Sequence, residues 1–463
     1  MKKITTMNIK VNWYFILFSP IFFNFIYNLI KNISAFQKFN FYNLISTILG
    51  FTSIVLIGYL IKVSFKLNNK SLGIVIYLLS FFITDIFTLF ITTNISFKHS
   101  FLITNMFWFV LFLVRRVNFR VLFLFCLNFI ILRIFNHNFI NKFEINSNIE
   151  VDSWYYLEFC KQIINNNYFY SMNNNLFAGY TQFSSYLHSV MFEYFFSLNS
   201  YVYLKPTTNV LFFLTCYFLF ELKIDKNQKL FIIFLYSSLV LNSDWLSFLL
   251  FDSIMSEGIL NYIFAILLFN LFDEKRPEHL KYIYLFFGLL VFSKQFYISL
   301  VLINLVFLFI FKDSRKFVKY GFIAFLLKQI MYLSYFSNLE KDHHIRQIDI
   351  IDTILDLLLF RDLNPNNIFA ILNNLFIDKP LTYLLLIIFV LIFYLLLNRG
   401  FISKILYFLI GNIISNFLLI FLLYISVWRN MELESPIRFI LNLFLIFLLF
   451  ITNSVQTINS KTN

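Results

Sequence analysis

The sequence predicts an all-α fold, a polytopic transmembrane helical bundle of about 14 spans (12–14), and three observations predict it. The chain is 60% hydrophobic and 13% charged, against roughly 25% charged residues in an ordinary soluble domain. Apolar runs of about 20 residues recur from end to end, each long enough to cross a hydrocarbon core of about 30 Å. The net charge of +13 gathers in loops that alternate with these runs, as the positive-inside rule expects. The basic balance therefore points to a membrane surface and not to nucleic acid. No separate soluble domain is visible.

The elements follow in order. The basic flank of "MKKITTMNIKVNWYFILF" precedes a first span at 13–30. No small-residue cleavage site follows it, so it reads as a retained helix. Spans at 45–65, 72–93, 101–114 and 119–135 complete an N-terminal five-helix segment, 1–135. A long outer loop then covers 136–206. Within it, "SWYYLEFCKQIINNNY" aligns Tyr155, Phe159 and Ile163 at i, i+4, i+8, and "QFSSYLHSVMFEYFFSL" puts Leu187, Met191, Tyr194 and Phe195 on one face. Both read as amphipathic interfacial helices lying flat with the apolar face down.

The remaining bundle, 207–463, carries spans at 207–221, 229–242, 259–272, 282–293, 296–311, 320–335, 381–397, 405–427 and 437–452. A second outer loop, 336–380, holds another interfacial candidate marked by Ile348, Ile351, Leu355 and Leu358. The stretch 282–311 is one long helix or a hairpin turning at "FSKQF". The hairpin keeps "KDSRKFVK" on the side of the other basic loops, and charge favours it. This topology puts both termini in the cytoplasm and the long loops outside a cell (inner or plasma) membrane.

Several function classes are excluded. GxxxxGK[ST], GxGxxG, HExxH and GxSxG are all missing. With nine glycines in the chain, a Gly-rich phosphate loop has little material. Cys126, Cys160 and Cys216 form no CxxC pair. The 68 phenylalanines rise together with Ile, Asn, Lys and Leu, a composition bias that reads as packing and lipid contact and not as a ligand cage. No internal repeat stands out.

The residues left to carry chemistry are charges at membrane depth or the outer rim. Asp152 stands at or beside the N-cap of the first outer-loop helix, where it is either a cap or a general base at the water–lipid boundary. Asp252 and Glu257 precede a span in "FDSIMSEGILNY", and Lys294 sits at the hairpin turn. Arg429, Glu432, Glu434 and Arg438 precede the last span. The two arginines defy the positive-inside trend, so they either pair with the acids or bind an anion such as phosphate. Asp85, inside a span, is a functional candidate or a neutral group packed beside Thr84 and Thr88. The adjacent His343 and His344 are poorly placed to chelate one metal, and no metal site is assigned.

The stretch "DSWYYLEFCKQIINNNYFYSMNNNLFAGYTQFSSYLHSVMFEYF" resembles the first long external loop of GT-C-type membrane glycosyltransferases, the polyprenyl-phosphate-sugar-dependent enzymes related to protein mannosyltransferases and aminoarabinose transferases. The match falls on Asp152, Tyr155 and Tyr156. "GLLVFSKQFYISLVLINL" is similar to the family's apolar hairpin with a lysine at its outer turn, on Lys294. "ELESPIRFILNLFLIFLLF" resembles its acid-then-arginine segment, on Glu434, Arg438 and Phe439. Five predicted spans precede the loop where the family has one. Either four N-terminal helices are added or the catalytic loop lies elsewhere.

The resemblance implies an inverting transferase. Arg438, Lys294 and Arg429 would hold the donor phosphate, and Asp152 would take the proton of an acceptor hydroxyl. The implied partners are membrane lipid, a polyprenyl-phosphate sugar and a glycan, lipid or protein acceptor, with no nucleotide cofactor. Some relatives use a divalent ion and others none. Two alternatives stand beside this reading. A polysaccharide (O-antigen-like) polymerase would use arginines of the second outer loop, where Arg346 and Arg361 are available. A lipid or solute transporter or flippase would show interrupted spans in paired halves.

Overall fold

The structure is a computed structural model. It describes residues 41–91, 95–139, 151–166, 183–195, 205–224, 226–243, 256–274, 276–293, 295–335, 379–398, 400, 402–426 and 443–462. Among them every extended element is a helix and no strand occurs. In chain order these are α1 (Phe41–Phe65), α2 (Lys70–Ile91), α3 (Phe97–Val114), α4 (Phe119–Phe139), α5 (Val151–Asn165), α6 (Phe183–Phe195), α7 (Lys205–Glu221) and α8 (Lys226–Asn242). There follow α9 (Ser256–Asp273), α10 (Pro277–Leu289), a 3-10 turn (Leu290–Phe292), α11 (Gln295–Ile310), α12 (Lys312–Tyr335), α13 (Lys379–Leu397), α14 (Lys404–Ser426) and α15 (Phe444–Thr462). The first predicted span, 13–30, and residues 336–378 of the predicted second outer loop (336–380) lie outside the described residues, and 379–380 open α13.

Five helices are long and apolar enough to cross a membrane: α1, α2, α3, α4 and α13. Their surfaces fit that role. On α4 Phe123, Leu127, Ile130, Ile131 and Ile134 are exposed, while Leu122, Leu132 and Asn136 face the bundle. So wide an apolar face is stable only against lipid or a partner. Polar residues on the inward faces join the helices. Asn304 of α11 and Asn412 of α14 exchange amide hydrogen bonds, and Asn416 donates to Asn412 Oδ1 at 3.0 Å. Amide pairs of this kind add modest stability between membrane helices.

Close backbone contact needs glycine at two crossings. A Cβ on Gly73 of α2 would strike the Gly58 carbonyl of α1, and one on Gly288 of α10 would strike the Gly321 carbonyl of α12. Tyr284 stacks with Phe317 at 6.0 Å, and Lys328 Nζ donates to Val291 O at 2.7 Å. The pairs 284/317, 288/321 and 291/328 are level, so α10 and α12 run parallel and α11 returns between them. The chain therefore breaks after Phe292, as the hairpin reading expects. "KDSRKFVK" differs from its reading as a loop. It forms the first turns of α12, with Arg315, Lys316 and Lys319 exposed.

One end of the bundle collects three connections. Glu221, closing α7, accepts the Lys70 and Ser71 backbone N–H groups at 2.9 and 2.8 Å and the Ser71 hydroxyl at 2.6 Å, capping α2. Asn68 donates to the Asp273 carbonyl at 3.1 Å, and Arg276 donates to the Lys66 carbonyl. Lys223 pairs with Asp273 at 2.9 Å. Lys66 and Arg116 take the left-handed conformation, φ 56° and 50°, with Leu67 N–H bonded to Lys62 O and Val117 N–H to Phe112 O. These are helix-ending turns that favour glycine. Here cations occupy them beside the negative helix termini. This end carries Lys62, Lys66, Lys70, Arg115, Arg116, Lys223 and Arg276 and is called the basic end below.

Candidate functional site

The predicted site centres on α5 and α6, the two helices of the first outer loop. α5 is amphipathic as its periodicity predicts. Tyr156, Phe159, Cys160 and Ile163 are buried and Glu158 is exposed. Its last turn is tied to α3 by Phe97 N–H donating to Asn166 O at 2.7 Å. Asp152 lies inside the first turn of α5, one residue past its start, and Tyr155 one turn along.

α6 corrects the interfacial expectation. All 13 of its residues are buried, so it has no wet face. At about 20 Å long it is too short to cross a core of about 30 Å. The periodicity that aligned Leu187, Met191, Tyr194 and Phe195 is real, but the opposite face is buried too, and several of its polar groups find partners. Ser189 Oγ donates to Ser185 O at 2.8 Å, and Cys160 Sγ donates to the same carbonyl at 3.3 Å, joining α5 to α6. Burial pushes the Cys160 thiol up to about 12, so it stays protonated. Tyr194 shares a 2.5 Å hydrogen bond with Ser53 of α1, and Tyr186 donates to Phe81 O of α2 at 2.9 Å.

The last turn of α6 carries an ion pair. Arg133 of α4 donates to the Glu193 carbonyl and lies 3.4 Å from its carboxylate. The Glu193 side chain is 5% exposed and that of Arg133 25%. Burial pushes the Glu193 carboxyl above its ordinary range, against the pull of Arg133. Neither residue was among the expected site residues. A cation within the predicted span 119–135 was the available signal.

The first turn of α6 and the 3-10 turn both pack on Phe82 of α2. Phe82 of α2 packs its ring against Phe183 at 4.6 Å, Tyr186 at 5.2 Å and Phe292 at 5.3 Å. Phe292 stands two residues before Lys294. Asp85, one helical turn beyond Phe82, is buried, and its carboxylate accepts the Ser100 hydroxyl of α3 at 2.8 Å. Thr88 donates to the Asp85 carbonyl, while Thr84 bonds back to Ser80. Thr88 also shares a 3.3 Å hydrogen bond with the Ser100 hydroxyl, which joins it to the same group.

The structure thus brings α5, α6 and the turn leading to Lys294 into one cluster around Phe82. Glu257 is the second residue of α9, which also packs on α6. Asp252, Lys294, Arg429, Glu434 and Arg438 lie outside the described residues. Among the described residues no group of His, Cys, Asp and Glu is arranged to hold a metal. Set against family models, characterised proteins and solved structures, the chain matches none of them.

Proposed function

We propose that the chain is a GT-C-like membrane glycosyltransferase of about 14 spans. It moves a sugar from a polyprenyl-phosphate donor to a cell-envelope acceptor at the outer face, with inversion. One observation supports the reading above the others: the Asp152-bearing helix α5 is fastened, through α6 and Phe82, to the turn that leads into Lys294. A base and a phosphate-binding lysine carried on elements so joined have the rigidity that catalysis demands. Asp152 takes the acceptor proton as its oxygen attacks the anomeric carbon. Lys294, Arg438 and Arg429 stabilise the departing phosphate. The basic end faces the cytoplasm in this reading.

The test is transfer by the purified chain in lipid, with a polyprenyl-phosphate sugar as donor. Asp152→Asn abolishes transfer while membrane insertion and thermal stability persist. Full transfer by Asp152→Asn removes the assignment. Donor flipping without transfer replaces it with the flippase reading.

A further inference from the structure

α12 begins with the exposed cations Arg315, Lys316 and Lys319 and then turns apolar, "YGFIAFLLKQIMYLSY", with Lys328 the one cation of that run. Lys328 lies about 24 Å of helix beyond Lys312, deep within a core of about 30 Å if α12 spans the membrane. A cation at such depth is costly and marks a functional position by default. The side chain is half-buried. Its ammonium turns onto the chain, where Nζ donates to Val291 O at 2.7 Å, in the 3-10 turn that closes α10. That bond uses one of three hydrogens and sets the charge at the negative end of α10. A neutral amide can make the same bond, so the bond does not account for the charge.

No carboxylate answers that charge. Among the described residues none pairs with Lys328. The sequence has no Asp or Glu from 279 to 312 or from 314 to 339, which spans α10, α11 and α12 apart from Glu278 and Asp313 in their first turns. Across the turn, on α2, Asp85 directs its carboxylate to Ser100 of α3 at 2.8 Å. Leu326 and Ile330, within a turn of Lys328, are exposed on α12, so the position borders the surface that hydrocarbon reaches.

We propose that Lys328 binds the phosphate of a polyprenyl phosphate. The phosphate lies at the end of α10, and the chain runs along the apolar surface of α12. An unanswered cation beside a hydrocarbon-facing surface suits an anion that is carried by a lipid chain. The choice of a polyprenyl chain over a phospholipid rests on the transferase reading, in which Lys294, three positions after Val291 in the sequence, holds the same phosphate.

The test uses the full chain in phosphatidylcholine nanodiscs loaded with undecaprenyl phosphate, undecaprenol or phosphatidylglycerol, read by native mass spectrometry and thermal unfolding. Wild type retains one undecaprenyl phosphate and neither of the other two. Lys328→Gln keeps a donor for Val291 O and the unfolding midpoint of the empty chain, and weakens retention about tenfold. Lys328→Arg retains the lipid, and it decides the matter if Lys328→Gln fails to fold. Equal retention by a folded Lys328→Gln, loss by a folded Lys328→Arg, or equal retention of undecaprenol or phosphatidylglycerol overturns the proposal. Retention that depends on Lys328 in a chain that transfers no sugar keeps the site and removes the transferase reading. Sugar transfer that needs Asp152, with retention indifferent to Lys328, does the reverse.

Discussion

The two ends of the bundle solve the same problem differently. At the basic end, polar groups sit in or beside short connections, and several ties join a side chain to a backbone group, as Glu221 does for α2. Around α6, polar groups sit inside the helical packing, and Glu193 is held by a guanidinium and buried on every side. The basic end is a set of replaceable ties. The α6 region is a set of matched groups in which removal of one strands another, and burial decides the cost.

That contrast predicts its largest effect at Arg133. Arg133→Met leaves Glu193 buried without its cation and is expected to destabilise by about 3 kcal/mol. Lys223→Met at the exposed Lys223–Asp273 pair is expected to cost less than about 1 kcal/mol. Thermal unfolding of both variants in one detergent checks this, and equal losses would break the contrast.

A second, intermediate effect lies along α10 and α12, which meet backbone to backbone where they cross. Gly288→Leu forces the helices apart at Gly321 and is expected to cost about 2 kcal/mol. The same unfolding assay, with limited proteolysis near α12, measures it. An unchanged midpoint would show that the crossing is looser than the glycine contact implies.

The smallest effect sharpens the picture of the basic end. Glu274 is buried there and accepts the Arg276 N–H at 3.1 Å, the Arg276 Nε at 3.2 Å and the His279 ring nitrogen at 3.2 Å. Burial alone would raise its pKa, but these donors outweigh it and hold the carboxyl below its ordinary 4.5. The folded value is the lower one, so the stabilisation is complete above about pH 4.5 and lost as pH falls through the folded value. Glu274→Gln should flatten the acid limb of stability measured from about pH 6 to about pH 3, and an unchanged limb would remove Glu274 from the account.

Much of the fold was legible because membrane helices announce themselves by length. The run 45–65 became α1 and 381–397 became α13 with small shifts at their ends. The break after Phe292 was legible from charge alone. Two kinds of feature were not. The start of α12 was hidden because its first turns are basic, and hydropathy reads basic turns as loop. The burial of α6 was hidden because one-dimensional periodicity records which faces are apolar, not whether a neighbour will supply partners for the polar one. Ser53, Arg133 and Phe81 lie on three other helices, far away in sequence. Of the expected site, Asp152 reads in the sequence at or beside the N-cap of α5 but lies inside the first turn, because the helix begins at Val151. The Ser100 partner of Asp85 was not legible, since hydroxyls nearer in sequence competed for it.

The enclosure of α6 also sets an order of assembly. A thirteen-residue segment packed by α1, α2, α4 and α7 before and after it, and by α9 more than sixty positions downstream, leaves the ribosome long before its last wall exists. Its final seat forms only after α9 has been synthesised and threaded. Until then, Glu193 and the serines of this segment need water or a temporary host.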